Sequence, residues 1–298
     1  MLRETLVIQR PIGVRKTERF SSNLVTKSLR SSPWLLLLLA LASWSGCALF
    51  STGQYADTHN PLPPMVGPRD AIELEVFIVD RAVGDPLIGE GMWGSLHDLT
   101  TITPELRNRL ADCGMRVAMS PARPPRSIQA LLSLSSNSDP TRSTSYHRIV
   151  VPAGQPTYIP ITILPPQAEV DLPSESGLQR KTLTNGNCML QVRADKVADG
   201  WAHLEVEPVI HHGEEMLRPK ATPEDWVFEQ GQKMISLYED RFTVELNDGE
   251  LIVLGFTGSP EHSLGENYFR GEWDGIRIER HVIIRLRGMH HVNPVRAQ

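Results

Sequence analysis

The sequence lacks the short motifs by which enzymes and metalloproteins are usually identified. None of its 298 residues forms a metal-binding, nucleotide-binding or catalytic signature. Nor is there a long hydrophobic run, because the apolar residues 34–42 are too few for a membrane-spanning helix, which needs roughly 20 residues. These absences predict a protein that is not an enzyme and that has no catalytic residues, no cofactor and no bound metal.

Positive charge is scarce after the first 46 residues. Those residues hold seven of the 30 Lys and Arg and two of the 35 Asp and Glu, which leaves 23 basic against 33 acidic side chains and a net charge of −10. A surplus of this sign disfavours non-specific binding to nucleic acid. The hydrophobic content of 40% is typical of a globular protein rather than a disordered one.

Cysteine is scarce too, with only Cys47, Cys113 and Cys188. Outside the cytoplasm, Cys113 and Cys188 could form a disulfide. Alternatively they are two separate buried thiols, because Cys113 falls in a helical pattern and Cys188 in a strand pattern. The sequence leaves both alternatives open.

The N-terminal segment is organised like an export signal. A basic leader precedes the apolar residues 34–42, whose length is that of a secretory hydrophobic region, roughly 7–15 residues. Positive charge before such a stretch keeps that end in the cytoplasm. Ser45, Gly46 and Cys47 follow, and together they resemble the lipobox of bacterial lipoproteins, with Trp44 where that family usually has Leu.

The lipobox resemblance implies that Cys47 is lipidated and becomes the new N-terminus, so that an N-terminal lipid holds the protein at a membrane of the cell envelope, on its periplasmic or outer-membrane face. A plain cleaved signal and an uncleaved N-terminal anchor remain the alternatives for residues 1–47. Residues 48–68 contain four prolines and several small or polar residues, which predicts a flexible tether between the membrane and the folded part.

Residues 69–135 predict a small α/β module. Thr103 is a good N-cap, Pro104 fits the first helical position, and Gly114 can adopt the left-handed conformation that ends a helix. Alternation of apolar and polar residues indicates strands elsewhere in the module. The predicted elements are a strand at 71–80, a short helix around 92–99, a helix at 103–113, a strand at 115–119 and a helix at 125–134.

Strand patterns dominate after a Ser- and Asn-rich linker at residues 136–145. The best turn signal, Asn247-Asp248-Gly249, predicts a β-hairpin at the centre of the C-terminal sheet, with Gly249 at positive φ. The predicted fold class is therefore α+β, a small α/β module followed by a mostly antiparallel β-domain at residues 146–298. Its predicted strands are 147–151, 157–164, 188–194, 202–210, 242–245, 251–256 and 276–287.

The C-terminal half also resembles the β-domain of secretins, the multimeric outer-membrane gates of type II and type III secretion. Residues 199–208, DGWAHLEVEP, look like a strand near the start of that domain. Residues 242–255 are similar to its hairpin, and residues 281–286 are similar to its final strand. The upstream α/β module resembles the ring-building domains before secretin barrels. The resemblance implies a secretin-like β-topology and a possible relation to secretion-system components.

Several polar clusters are candidates for chemistry. His211 and His212 with Glu214 and Glu215 suggest a metal site or a solvated turn, and adjacent strand residues point to opposite faces, which favours the turn. A second histidine pair, His290 and His291, could contribute to such a site only if the fold brought it close to His211 and His212. Three further polar candidates are each more consistent with a structural role. They are the Ser259-Pro260-Glu261-His262 cluster, the Asn247-Asp248-Gly249-Glu250 turn and the basic strand residues Arg280, Arg285 and Arg287. The aromatic residues are expected in the core rather than in a ligand site; they are Trp201, Trp226, Phe228, Tyr238 and Phe242.

Two function classes follow. The first is a lipid-anchored, non-catalytic envelope protein that binds protein partners or assembles with itself, for example by strand addition at an exposed sheet edge. The second is a secreted enzyme or small-ligand binder. A polar pocket that joins His203, Glu207 and His211 would favour the second class, and a polar-faced sheet or an exposed apolar patch would favour the first.

Overall fold

The computed structural model describes residues 69–298 except residues 134–138, 175–176, 222–225, 259–260 and 293–298. The predicted signal segment with Cys47 and the predicted tether therefore lie outside the described residues. Within the described part, the strands form antiparallel sheets that are accompanied by a few short helices. This confirms the predicted fold class, α+β, with a small α/β part and a mostly antiparallel β-structure.

Sheet 1 contains both the first and the last described strand. Its members are β1 (Arg69–Ala82), β2 (Met115–Ser120), β3 (Thr144–Pro152), β11 (Leu251–Phe256), β12 (Arg270–Trp273) and β13 (Ile276–Val292). Their order is β2-β11-β13-β1-β3, and β12 lies beside β13. The β1–β13 register runs from Arg69 opposite Val292 to Ala82 opposite Ile278, so β1 is paired along its whole length.

Sheet 2 combines two consecutive hairpins with two strands from elsewhere in the chain. Its members are β4 (Thr157–Ile163), β7 (Asn187–Ala198), β8 (Trp201–Ala221), β9 (Trp226–Ser236) and β10 (Phe242–Asn247). The order is β10-β8-β7-β4, and β9 also pairs with β8. A separate two-stranded pair is formed by β5 (Gln167–Ser174) and β6 (Gly177–Thr184). The sequence patterns did not predict β5, β6, β9 or β12.

The helices are short. They are α1 (Glu90–Trp93), α2 (Pro104–Asp112), α3 (Arg126–Ser133) and α4 (Leu264–Phe269), with 3-10 turns at Pro86–Ile88, Pro140–Arg142 and Tyr238–Asp240. The predicted cap of α2 is confirmed, because the Thr103 hydroxyl accepts a hydrogen bond from the Leu106 amide at 3.3 Å. Gly114 has φ +84, as its position after the helix predicts.

The α4 helix begins in close contact with the backbone that follows α2. The Gly265 amide donates to the Cys113 carbonyl at 2.7 Å, and the Thr257 amide donates to the Gly114 carbonyl at 3.2 Å. A Cβ atom on Gly265 would lie only 2.0 Å from the Gly114 carbonyl oxygen. Only glycine therefore fits at this position without moving one of the two backbones.

Sheet 1 buries one face completely and part of the other, and alternation along β1 separates the two cores. Ile72, Leu74 and Val76 belong to the larger core, which also includes buried residues of sheet 2 such as Leu190 and Leu204. Val79 lies on the opposite face of β1 and packs in a smaller core, together with residues of α1 and α3. The predicted buried face of β1 is confirmed, and its second face is partly covered by the helices.

The smaller core contains a fully buried histidine, His281 of β13. Its ring lies 5.7 Å from the Trp93 ring of α1, centroid to centroid, and its Nε2 is 3.7 Å from Glu279 Oε1. Neither ring nitrogen has a hydrogen-bond partner among the described residues. Burial, and secondarily the charge of Arg81, lower the pKa of His281 to about 4.

Strands from both sides of residues 136–145 share sheet 1. β1 and β2 precede that segment, whereas β3, β11, β12 and β13 follow it. β1 lies between β3 and β13 and pairs with both of them. The proposed α/β module and β-rich domain are thus joined by backbone hydrogen bonds, and residues 69–298 fall within one compact unit.

The turn at Asn247-Asp248-Gly249 does not close a hairpin, and this corrects the prediction from the sequence. β10 pairs with β8 in sheet 2, whereas β11 pairs with β13 and β2 in sheet 1. Every side chain of β11 is buried, so this strand needs cover on both faces, which the middle of sheet 1 provides. The expected positive φ of Gly249 is confirmed at +83.

Candidate interaction surface

The outer half of β8 extends beyond sheet 2 as part of a two-stranded ribbon. β8 pairs with β7 only as far as His211 and with β10 only as far as Val206. From His212 to Ala221 its described partner is β9 alone. We call this extension, residues 212–221 of β8 with residues 226–233 of β9, the β8–β9 ribbon.

One face of the ribbon is apolar and exposed. The register places Leu217 opposite Gln230 and Pro219 opposite Phe228. Because residues two apart on a strand share a face, Leu217, Pro219 and Phe228 lie on the same side. Leu217 is 71% exposed and Phe228 is 73% exposed. Large apolar side chains that lie next to each other in this way mark interaction sites more often than single exposed ones do.

Within the described residues, no third strand pairs with residues 214–221 of β8 or with residues 226–230 of β9. A two-stranded ribbon is marginally stable at best in water, and unpaired strand edges are templates for further strands. The ribbon therefore has apolar area and strand edges to offer to another strand.

The residues proposed for a polar pocket do not converge on one. His203, Glu207 and His211 all lie on β8, and His203 and His211 are eight residues apart, or about 26 Å along a strand. Glu207 is buried and accepts a hydrogen bond from the Ser236 hydroxyl. The His211 ring packs edge-on against Tyr158 at 5.5 Å, and burial lowers its pKa. His211 and His212 continue β8 rather than forming the expected turn.

The other polar clusters have structural roles where they are described. In the Ser259-Pro260-Glu261-His262 cluster the first two residues lie outside the described part, and His262 is held at φ +65 with its amide bonded to Glu266. His290 forms an ion pair with Glu73, not with His211. Among the residues that the structure describes, no group of three or more His, Cys, Asp or Glu side chains could hold a metal ion.

The three arginines of β13 that were proposed as a basic strand face do not share one face. Arg280 lies on the side of the larger core, where it forms a bidentate ion pair with Asp80 and donates to the Ile161 carbonyl. Arg285 and Arg287 both approach Glu75, on the opposite side. Odd and even positions of a strand point to opposite faces, so residues five apart could not have formed one basic stripe.

Most of the aromatic residues assigned to the core are exposed. Phe242 is buried as expected, whereas Trp201 is 41%, Tyr238 66% and Phe228 73% exposed. The sequence missed Leu217 and Phe228 as surface residues because neither the outer half of β8 nor β9 was predicted. A usable signal was present, since apolar residues alternate with charged ones at 217–220.

Cys113 and Cys188 are both buried and unpaired, so the structure supports two separate thiols. Burial raises the pKa of Cys113 to about 12, and Asp240 adds to this effect. Burial also raises the pKa of Cys188. Both thiols are therefore protonated and unreactive at neutral pH.

A cleft of about 1190 Å³ opens between β4, β12 and α4. The bidentate Arg280–Asp80 pair lines it, together with Arg270 and the exposed Trp273. Arg270 is already paired with Glu279 at 3.1 Å. The charged groups here neutralise one another, which makes the cleft less suited to charged ligands than its volume suggests.

Nothing in the described ranges offers a membrane-spanning helix of sufficient length and apolarity. The lipidation proposed for Cys47 falls outside those ranges.

No family model and no curated protein matches the chain. Solved structures that are similar to it include secretins. One is the pilotin–secretin AspS–GspD complex of ETEC, with 14% identity, a TM-score of 0.26, and coverage of 75% of this chain and 50% of that chain. Another is the InvG secretin-domain β-barrel from the Salmonella SPI-1 injectisome, with 14% identity, a TM-score of 0.24, and coverage of 78% and 65%.

A third is the type II secretin XcpQ from Pseudomonas aeruginosa, with 12% identity, a TM-score of 0.22, and coverage of 76% and 60%. The chain thus spans 50% to 65% of the length of these secretins. At such TM-scores and identities the similarity does not assign the chain to their family.

Proposed function

We propose that this protein is a lipid-anchored, non-catalytic component of the cell envelope that works by assembling with other copies of itself through the β8–β9 ribbon. The observation that carries the proposal is the exposed apolar face of Leu217 and Phe228 on a ribbon with two open edges. Membrane attachment rests on the sequence of residues 34–47 and on lipidation of Cys47. A role beside secretion-system components is part of the same proposal.

A second copy is the partner because the ribbon is complementary to itself. The free edge of β8 in one copy can pair with the free edge of β9 in the next, since β8 and β9 already pair in antiparallel register within the chain. An interface of this head-to-tail kind repeats from copy to copy, and it closes into a ring when the rotation between copies allows.

The apolar face sets the expected strength of the contact. Complete burial of a Leu or Phe side chain contributes roughly 1.5–3 kcal/mol. Leu217 and Phe228 start more than 70% exposed, so an interface that covers them gains most of that amount from each. Replacing either by serine should weaken association at least tenfold, because about 1.4 kcal/mol corresponds to a factor of ten.

The test measures the mass of the full-length protein, purified in detergent, as a function of its concentration. We expect wild-type protein to form defined oligomers, and Leu217→Ser with Phe228→Ser to shift the protein to monomers. The matched control is Ile163→Ser, which replaces an equally apolar side chain that is 82% exposed on β4. A wild-type protein that remains monomeric at all concentrations, or a control that dissociates equally, would refute self-assembly through the ribbon.

The second function class, a secreted enzyme or small-ligand binder, has one feature in its favour, the cleft between β4, β12 and α4. Its volume of about 1190 Å³ would admit a small molecule. However, none of His203, Glu207 and His211 lines it. Binding to another protein through the ribbon accounts for more of the exposed apolar surface than this alternative does.

A further inference from the structure

One half of a face of sheet 1 carries a ladder of charged side chains that no described helix covers. At its centre are two glutamates of β1, Glu73 and Glu75. Glu73 is 2% exposed, and it forms ion pairs with Arg148 of β3 and with His290 of β13, the latter at 2.5 Å. These two partners hold the pKa of Glu73 below its usual range. The carboxylate at the base of the ladder is therefore charged and enclosed.

The second glutamate, Glu75, contacts the remaining members of the ladder. Glu75 accepts a hydrogen bond from the Tyr146 hydroxyl at 3.0 Å and another from Arg285 at 3.4 Å. Arg287 approaches the same carboxylate at 3.9 Å. These contacts place side chains from β3, β1 and β13 on one face. We call the group the basic ladder; its members are Glu73, Glu75, Tyr146, Arg148, Arg285, Arg287 and His290.

Burial separates the two signs of charge in the basic ladder. The carboxylate side chains of Glu73 and Glu75 are 2% and 14% exposed, whereas those of Arg148, Arg287 and His290 are 60%, 62% and 54% exposed. A partner that approaches this face meets the guanidinium groups of Arg148 and Arg287 first, although the chain after residue 46 has a net charge of −10. A local positive surface on an acidic protein selects for an anionic partner.

Two side chains beside the arginines, Tyr146 and Val150, indicate which kind of anionic partner fits this face. Tyr146 and Val150 lie on the same face of β3 as Arg148, and they are 50% and 53% exposed. Tyrosine and arginine interleaved with apolar groups are typical of surfaces that rest at the boundary between water and lipid.

The position of the chain entry points to the same partner. Residues 1–68 precede Arg69, which is the first residue of β1 and lies only four positions, or about 13 Å, from Glu73. A protein anchored by a lipid at Cys47 would therefore have the basic ladder near the end that faces the membrane. A tether also raises the effective concentration of the membrane surface around the folded part, so a weak contact between the ladder and the lipid suffices.

We infer that the basic ladder rests on an anionic lipid surface and sets the orientation of the folded part at the membrane. This inference depends on the membrane attachment proposed above but not on assembly through the ribbon. The arginines contribute the attraction to lipid phosphates, and Tyr146 and Val150 enter the headgroup region. In that orientation the ladder faces the bilayer, and the ion pairs with Glu73 and Glu75 keep the arginines on this face of the sheet.

The experiment uses the full-length lipidated protein in nanodiscs of phosphatidylcholine alone or with added phosphatidylglycerol. A donor dye is attached at Ser145→Cys, an exposed position of β3 beside the ladder, and an acceptor is carried on the lipid headgroups. Cys113 and Cys188 are buried and do not compete for the dye. We expect higher energy transfer with the anionic lipid, and a decrease when salt is added.

The variant Arg148→Gln with Arg287→Gln should reduce the ratio of docked to undocked protein roughly 30-fold, and Arg287→Gln alone roughly fivefold, since each basic residue near an anionic surface contributes about 1 kcal/mol. The matched control, Arg193→Gln with Arg241→Gln, removes the same charge from two half-exposed arginines that approach Glu205 on sheet 2. It should leave the energy transfer unchanged.

Equal energy transfer in both lipids would overturn the inference, as would a ladder variant that behaves like wild type or a control that loses docking equally. Because Arg148 neutralises a buried carboxylate, thermal unfolding accompanies each measurement, and the single Arg287→Gln variant decides the question if the double variant unfolds. Protein that leaves the nanodisc altogether would instead show that the membrane attachment itself is wrong. The mass of the assembly is a separate measurement, so a failure of the ribbon proposal is distinguishable.

Discussion

The buried histidine of β13 should make the fold sensitive to acid. His281 has a pKa of about 4 in the folded protein and an ordinary value of 6.5 when exposed. As the pH falls below 6.5, the unfolded chain takes up a proton at this position before the folded one does. Stability is therefore fully present above pH 6.5 and is lost as the pH falls toward 4.

The size of the loss follows from the two pKa values. Each pH unit between them is worth about 1.36 kcal/mol. The contribution of His281 thus decreases by about 2 kcal/mol between pH 7.5 and pH 5, and by about 3 kcal/mol at pH 4. A loss of 2 kcal/mol is a large part of the stability of an ordinary domain, roughly 5–15 kcal/mol.

Urea unfolding at pH 7.5, 6 and 5 measures this effect directly. The variant His281→Gln should be less stable than wild type at pH 7.5 but should lose about 2 kcal/mol less on acidification to pH 5. The control is His147→Gln, at an exposed position of β3, which should follow the wild-type pH dependence. If His281→Gln loses as much stability as wild type over this range, the burial of an uncharged imidazole is not the cause.

Three further predictions concern backbone positions and the anchor. Gly265→Ala should destabilise the fold by about 3 kcal/mol or more in thermal unfolding, because the new Cβ would overlap the Gly114 carbonyl at the start of α4; an unchanged melting temperature would contradict this. Gly249→Val should cost roughly 1–3 kcal/mol because its φ is +83, whereas Asp248→Asn should be nearly silent, and the reverse order would mean that the turn has a chemical role. Cys47→Ser should abolish incorporation of a radioactive fatty acid in growing cells, and equal labelling of variant and wild type would exclude lipidation at this residue.

Local features of the fold were predictable from the sequence because local rules determine them. Alternation identified β1 and its buried face, since a strand that covers a core needs an apolar residue at every second position. Thr103 and Gly114 marked both ends of α2, because each satisfies a backbone requirement of a helix terminus. The positive φ of Gly249 followed in the same way from the turn that contains it.

Strand pairing was not predictable in this way. The Asn247–Gly249 turn has the residues of a tight hairpin, yet it connects two sheets, because β11 pairs with strands far away in sequence. Alternation reports which face a strand buries but not which strand lies beside it. For the same reason the sequence could not reveal that β1 joins β3 and β13 in one sheet.

The candidate interaction surface was missed for a different reason. Predictions of strands rely on one face being buried, whereas residues 214–217 of β8 are exposed on both faces. Exposed apolar residues such as Leu217 and Phe228 then look like core residues or like part of a loop. The basic ladder was equally hidden, since Glu73, Arg148 and His290 are brought together only by the register of three strands.

The pairing of β1 with β13 has a consequence for how the protein is made. These strands lie at opposite ends of the folded part, with Arg69 opposite Val292, so sheet 1 stays incomplete until almost the whole chain is available. Contacts between such distant residues require closure of a very long loop, and chains dominated by them fold slowly. If the chain is exported from its N-terminus, it would cross the membrane before its central strand has its main partner. Late folding would keep the polypeptide in the extended state that passage through a narrow channel requires, and it would also leave the apolar β11 and β13 dependent on protection until the last residues arrive.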